Sequence, residues 1–116
     1  MKDKITYLEM TDGTKYPLIF TLNVMEEIQD EYGSLDKWME LVKADEPNIK
    51  ALKYGLGSML NEGIEIENET AKTKRELLDQ KKVGRIITDL GMAQVAGKIG
   101  ENVIASTKTD DAPKNE

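Results

Sequence analysis

The 116-residue sequence contains no cysteine and no histidine. Without cysteine, disulfides, zinc ribbons, iron–sulfur sites and thiol nucleophiles are excluded. Without histidine, the chain lacks the commonest metal ligand and the side chain best suited to proton transfer near neutral pH. Aromatics are scarce, with one Trp, one Phe and four Tyr, so the core has to be built from Leu, Ile, Val and Met. No apolar run approaches the ~18 residues of a membrane span. Met1-Lys2-Asp3-Lys4 leads into a strand-like segment and not into the apolar centre of a signal sequence. The expectation is a soluble, cytoplasmic protein.

What is present fits one domain. Apolar residues make up 39% and charged residues 33% of the chain, and the apolar positions are patterned, which argues against wholesale disorder. The net charge of −6 argues against nucleic-acid binding. Charge is also unevenly spread. Residues 22–70 carry a net −8, whereas residues 71–108 carry a net +4. A molecule so divided can attract a copy of itself head to tail.

Residues 4–20 read as a β-hairpin turning at Asp12-Gly13. A two-residue loop there pairs Tyr7 with Leu18 and Glu9 with Tyr16. It puts Ile5, Tyr7, Tyr16, Leu18 and Phe20 on the core face, and Leu8, Met10 and Ile19 on the other. A slip of one residue would exchange the faces.

Five apolar periodicities follow. Thr21 can cap a helix to Tyr32 with Leu22, Met25, Ile28 and Tyr32 as its stripe and Gly33 at its end. Ser34 can cap a second to about Lys43, turning Leu35, Trp38, Met39 and Val42 inward. After Pro47, Ile49, Leu52, Leu56, Met59 and Leu60 mark a helix over about 48–61. Gly55 and Gly57 lie inside it and imply close packing. Residues 61–72 read as a polar loop. Thr73 and Glu76 match a capping box, followed by one helix or two up to a break at Gly91. A last helix carries Met92, Val95, Ala96, Ile99 and Val103, with Gly97 and Gly100 beside the stripe as sites of close helix approach. The expected architecture is a mainly helical α+β domain over residues 1–106, an N-terminal hairpin followed by four to five helices. Residues 107–116 are expected to form a disordered polar tail.

No catalytic signature stands out. Gly55-Leu56-Gly57 is too short for a dinucleotide fingerprint and lies inside a helix. The acidic groups Glu26, Glu27, Asp30, Glu31 and Glu62, Glu65, Glu67, Glu69 match no calcium loop and read as solvated surface. No metal, cofactor or catalytic residue is expected. The basic cluster around Lys81, Lys82 and Arg85 lacks the interleaved aromatics of an RNA-binding surface and points to protein. With it, the second hairpin face of Leu8, Met10 and Ile19 is the candidate protein contact.

The order of parts resembles the tail assembly chaperones of long-tailed phages and prophages of Gram-positive bacteria. The resemblance spans residues 4–106. It rests on the hairpin running into YPLIFTLNVMEEIQDEYGSLDKWMELV at 16–42, on IKALKYGLGSMLNEG at 49–63, and on the basic KRELLDQKKVGRIITDLG at 74–91 ahead of a terminal helix. It implies a non-enzymatic protein of the bacterial host cytoplasm that binds the tape measure protein during tail morphogenesis, with the tail tube protein as a further candidate partner. It implies neither nucleic acid nor membrane as a partner. The alternative is a small phage-encoded regulator that inhibits a host protein through the acidic 22–70 surface.

Overall fold

A computed structural model describes residues 5–111, with side chains through Thr107. Strands β1 (Thr6–Glu9) and β2 (Lys15–Leu18) pair antiparallel. Asp12-Gly13 does turn the chain, but through three residues. The Met10 N–H donates to the Thr14 carbonyl at 2.7 Å, the Gly13 N–H donates to the Met10 carbonyl at 3.0 Å, and Gly13 has φ 93°. A two-residue turn of the expected kind needs positive φ at both central positions, and no described non-glycine residue has it. The added loop residue shifts the register by one, pairing Leu8 with Tyr16 and Thr6 with Leu18. The expected faces are therefore exchanged on β1. Leu8 is 1% exposed and Tyr7 49%. Pro17 lies opposite Tyr7, between the hydrogen-bonded pairs, so its missing N–H costs the ladder nothing.

Helix α1 (Leu22–Tyr32) begins where the Thr21 hydroxyl accepts the Val24 N–H, and stops at Gly33 with φ 92°. It buries Val24 and Ile28, whereas Leu22, expected in the stripe, is 72% exposed. Helix α2 (Leu35–Val42) starts at Ser34, whose hydroxyl accepts the Lys37 N–H. It delivers Trp38 to the core, where the indole N–H donates to the Ala51 carbonyl at 2.9 Å.

Helix α3 (Ile49–Asn68) is the central element and packs against β2 and all four other helices. A methyl group at Gly55 would sit 2.0 Å from Trp38 Cζ2, and one at Gly63 would sit 2.9 Å from the Pro17 carbonyl oxygen. Both glycines let a neighbour approach the helix axis. The expected loop over 61–72 is helical up to Asn68, because Gly63 and fully buried Ile64 tie that acidic stretch to the core. Packing outweighs its polar composition.

Residues 71–79 cross the hairpin without regular structure. Two asparagines of α3 hold this strap by pairing with its backbone. Asn61 donates to the Leu78 carbonyl at 3.0 Å and accepts the Leu78 N–H at 2.8 Å. Asn68 does the same to Arg75 at 2.9 and 3.0 Å. The Arg75 guanidinium lies 4.8 Å from the centre of the Tyr16 ring and donates to the Lys15 carbonyl at 2.8 Å. The capping box at Thr73 and Glu76 is not used. A single helix α4 (Gln80–Leu90) begins at Asp79, which accepts the Lys82 N–H at 2.8 Å.

Gly91, at φ 97°, separates α4 from α5 (Met92–Asp111). The last helix thus enters the segment expected as a disordered tail; residues 112–116 lie outside the described residues. Methyl groups at Gly97 or Gly100 would meet nothing within 4 Å, so the expected close approach does not occur there. The fold is mainly helical with an N-terminal hairpin and five helices.

Candidate functional site

The expected apolar contact does not form a surface. Leu8 is turned inward by the register shift, and Ile19, beyond the end of β2, is 3% exposed. Met10 is half-buried against the core. None of the three stands out as an anchor for a partner. Period-two reading failed here because the strand pairing ends at Leu18, after which both Ile19 and Phe20 are buried.

The expected basic residues are all exposed on α4. Lys82 and Arg85 border a hollow of about 250 Å³ that also holds Met10, Tyr16, Ile86 and Asp89. Its acid is already engaged, since Asp89 accepts the Thr11 N–H at 2.9 Å and the Thr11 hydroxyl at 2.8 Å. This clamp ties the hairpin turn to α4. It brings Met10 to the same side of the molecule as the cations, the one pairing of the expected apolar and basic sets that the fold achieves.

On the other side of Arg85 lies a larger groove of about 600 Å³, bordered by Ile49, Lys53, Lys81, Arg85, Ile87 and Met92. Helices α3 and α4 run antiparallel along it. Gly57 faces Gln80 and Val83, Lys53 lies over Gly84, and Ile49 borders the groove together with Thr88, Gly91 and Met92. The groove consequently has an apolar end, where Ile49 is 62% and Met92 38% exposed, and a basic end at Lys53, Lys81 and Arg85. The absence of a side chain at Gly84 leaves room for the Lys53 stem, 3.5 Å from where a β-carbon would stand. None of these cations forms an ion pair or side-chain hydrogen bond with another described residue. Exposed cations over apolar surface suit an acidic amphipathic protein segment, because the charges orient it while the apolar contacts add affinity.

Ile49, Lys53 and Met92 were not expected at the site. Ile49 reads as core by its spacing, and Met92 begins the last apolar stripe. Only the antiparallel crossing and the Gly91 corner bring them beside Lys81 and Arg85.

Two of the acidic residues join α1 to α3. Glu62 accepts the Thr21 hydroxyl at 2.6 Å and the Asn23 amide at 3.1 Å, joining α1 to α3. Glu27 accepts the Ser58 hydroxyl, and the Tyr54 hydroxyl donates to the Glu27 carbonyl at 3.1 Å. Burial, reinforced by Glu27, Glu31 and Asp30, pushes the Tyr54 hydroxyl above its ordinary pKa. The Tyr7 hydroxyl is pushed up chiefly by its bond to Glu67. Among the described residues there is no cluster of three or more acids of the kind that could hold a metal ion, and no helix long and apolar enough to cross a membrane. In comparisons with known proteins, no family model matches this chain, and no curated protein or solved structure matches it significantly.

Proposed function

We propose that this chain is a non-enzymatic protein-binding chaperone of phage tail assembly, acting in the bacterial host cytoplasm. Its client is the tape measure protein, held until tail tube subunits assemble around it. The observation that carries the reading is the groove between α3, α4 and α5, with an exposed apolar end and three cations that have no partner among the described residues. Each contact there is weak. Exposed ion pairs contribute about 0.2–1 kcal/mol, and apolar area about 25 cal/mol per Å² removed from water. Weak sites suit a carrier that has to let go, since many copies along one long client bind strongly together while each dissociates readily. The lack of cysteine and histidine in the chain agrees with a role in contact and not in reaction chemistry.

Co-expression tests the reading. A fragment of a tape measure protein that is insoluble alone is expected to be recovered in the soluble fraction with the wild-type chain. It is expected to be lost again with the doubly reversed Lys81→Glu, Arg85→Glu variant. A client that stays insoluble beside well-expressed wild-type chain would contradict the proposal.

A further inference from the structure

The groove has a counterpart on the same molecule. On α1, Leu22, Glu26 and Asp30 follow one another at intervals of four residues and are all exposed, so they form one ridge with steps of about 6 Å. Leu22 is the most exposed large apolar residue of the described chain, at 72%. Neither Glu26 nor Asp30 makes an ion pair or side-chain hydrogen bond with a described residue. The ridge reads apolar, acidic, acidic from the start of α1. The groove reads apolar, basic, basic. Ile49 and Met92 stand at one end, Lys53 and Arg85 about one turn along, and Lys81 a turn further. The two surfaces match in chemistry and in spacing.

They do not meet within one molecule. Helix α1 packs on α2 and α3, and no α1 residue borders the groove. We infer that the groove is the docking site for the α1 ridge of a second copy of this chain. Leu22 is placed over Ile49 and Met92, Glu26 against Lys53 and Arg85, and Asp30 against Lys81. The inference rests on the reading of the groove as a protein-binding site and adds regulation to it. A segment of a client and the α1 ridge of a neighbour compete for the same cations, so self-association occupies the groove until a client displaces the neighbour. Because ridge and groove are different surfaces, the contact is heterologous: it closes where the rotation between copies brings the free ridge back to the free groove, and otherwise continues as an open array.

Sedimentation velocity on the full chain tests this, with circular dichroism confirming that each variant is folded. At low salt the weight-average mass is expected to climb with concentration from 13.0 kDa to twice that value or more. It is expected to return to the monomer value in about 0.5 M salt, where screening acts within a few ångströms. Reversing the groove (Lys81→Glu with Arg85→Glu) or the ridge (Glu26→Lys with Asp30→Lys) is expected to leave a monomer. All four side chains are exposed, so no core contact is lost. An equimolar mixture of the two variants is expected to associate again, because each then offers the other a complementary surface. A wild-type chain that remains monomeric at high concentration and low salt overturns the inference. So does association undiminished in either reversed variant, or a mixture that fails to restore it. A monomeric wild-type chain that still solubilises a client refutes this inference while sparing the proposed function. An associating chain that solubilises none does the opposite.

Discussion

Two glycines with the same local conformation have opposite roles. Gly55 lies inside α3 against the Trp38 ring, where a methyl group would come within 2.0 Å of Cζ2. Trp38 is fully buried and its indole N–H is bonded to the Ala51 carbonyl, so it cannot yield without losing that bond. Gly55→Ala is expected to cost about 3 kcal/mol through overpacking, read as a lower urea midpoint. Gly97 lies inside α5 with open space around its α-carbon. Gly97→Ala is expected to stabilise by about 0.5–1 kcal/mol, since alanine loses less conformational freedom in a helix. Equal effects at both sites would contradict the packing described. The close packing at Gly55 was legible in the sequence as a glycine within a clean apolar stripe. The same logic misread Gly97 and Gly100, because the pattern along one helix does not tell what lies opposite it. Alkaline pH probes a second residue pair. Tyr32 and Tyr54 meet edge to face at 5.7 Å, and burial is the leading cause that raises both hydroxyls above their ordinary pKa of 10.0. Folding therefore favours their neutral forms. That contribution is complete below pH 10 and is lost as pH rises through the raised values. Replacing both with Phe is expected to move the onset of alkaline unfolding, followed by circular dichroism, to higher pH; an unchanged onset would count against it.

The elements were read with unequal success, and the failures have a common cause. Thr21, Gly33, Ser34 and Gly91 bound helices by local chemistry, and local chemistry is what a sequence displays. The hairpin register, the length of α3 and the start of α4 depend on contacts between elements. The register was set by a glycine bulge that adds one loop residue, and this reversed the side on which Leu8 lies. The acidic run 61–68 became helix because Gly63 and Ile64 meet β2 and the core. Thr73 and Glu76 lost their capping role because Asn61 and Asn68 hold the strap extended by backbone pairing. Asn61→Ala is expected to remove two such bonds and cost about 1–3 kcal/mol, because it leaves the partly buried Leu78 backbone groups without their partner. Hydrogen exchange is expected to quicken at Leu78 and not in the interior of α3. Unchanged protection at Leu78 would show that the strap is held by something else.

At the scale of the molecule, the separation of charge visible in the sequence becomes two separate surfaces of one folded unit, the acidic α1 ridge and the basic groove of α3, α4 and α5, which share no residue. Lys81, Lys82 and Arg85 were legible as an exposed basic stretch. Their apolar companions Ile49 and Met92 were not, since helical spacing assigned both to the core. Binding at this groove is expected to fall steeply between low salt and about 0.5 M, because exposed cations supply much of the attraction; binding that salt leaves unchanged would place the contact on apolar surface elsewhere. The most direct test of the groove as the contact surface is an amide chemical-shift map of the isotope-labelled chain, recorded while a soluble fragment of a tape measure protein is added. The largest shifts are expected at Ile49, Lys53, Lys81, Arg85 and Met92, with little change at Leu8 and Ile19. Shifts that cluster away from α3, α4 and the start of α5, or none at saturating fragment, would contradict the groove as that surface.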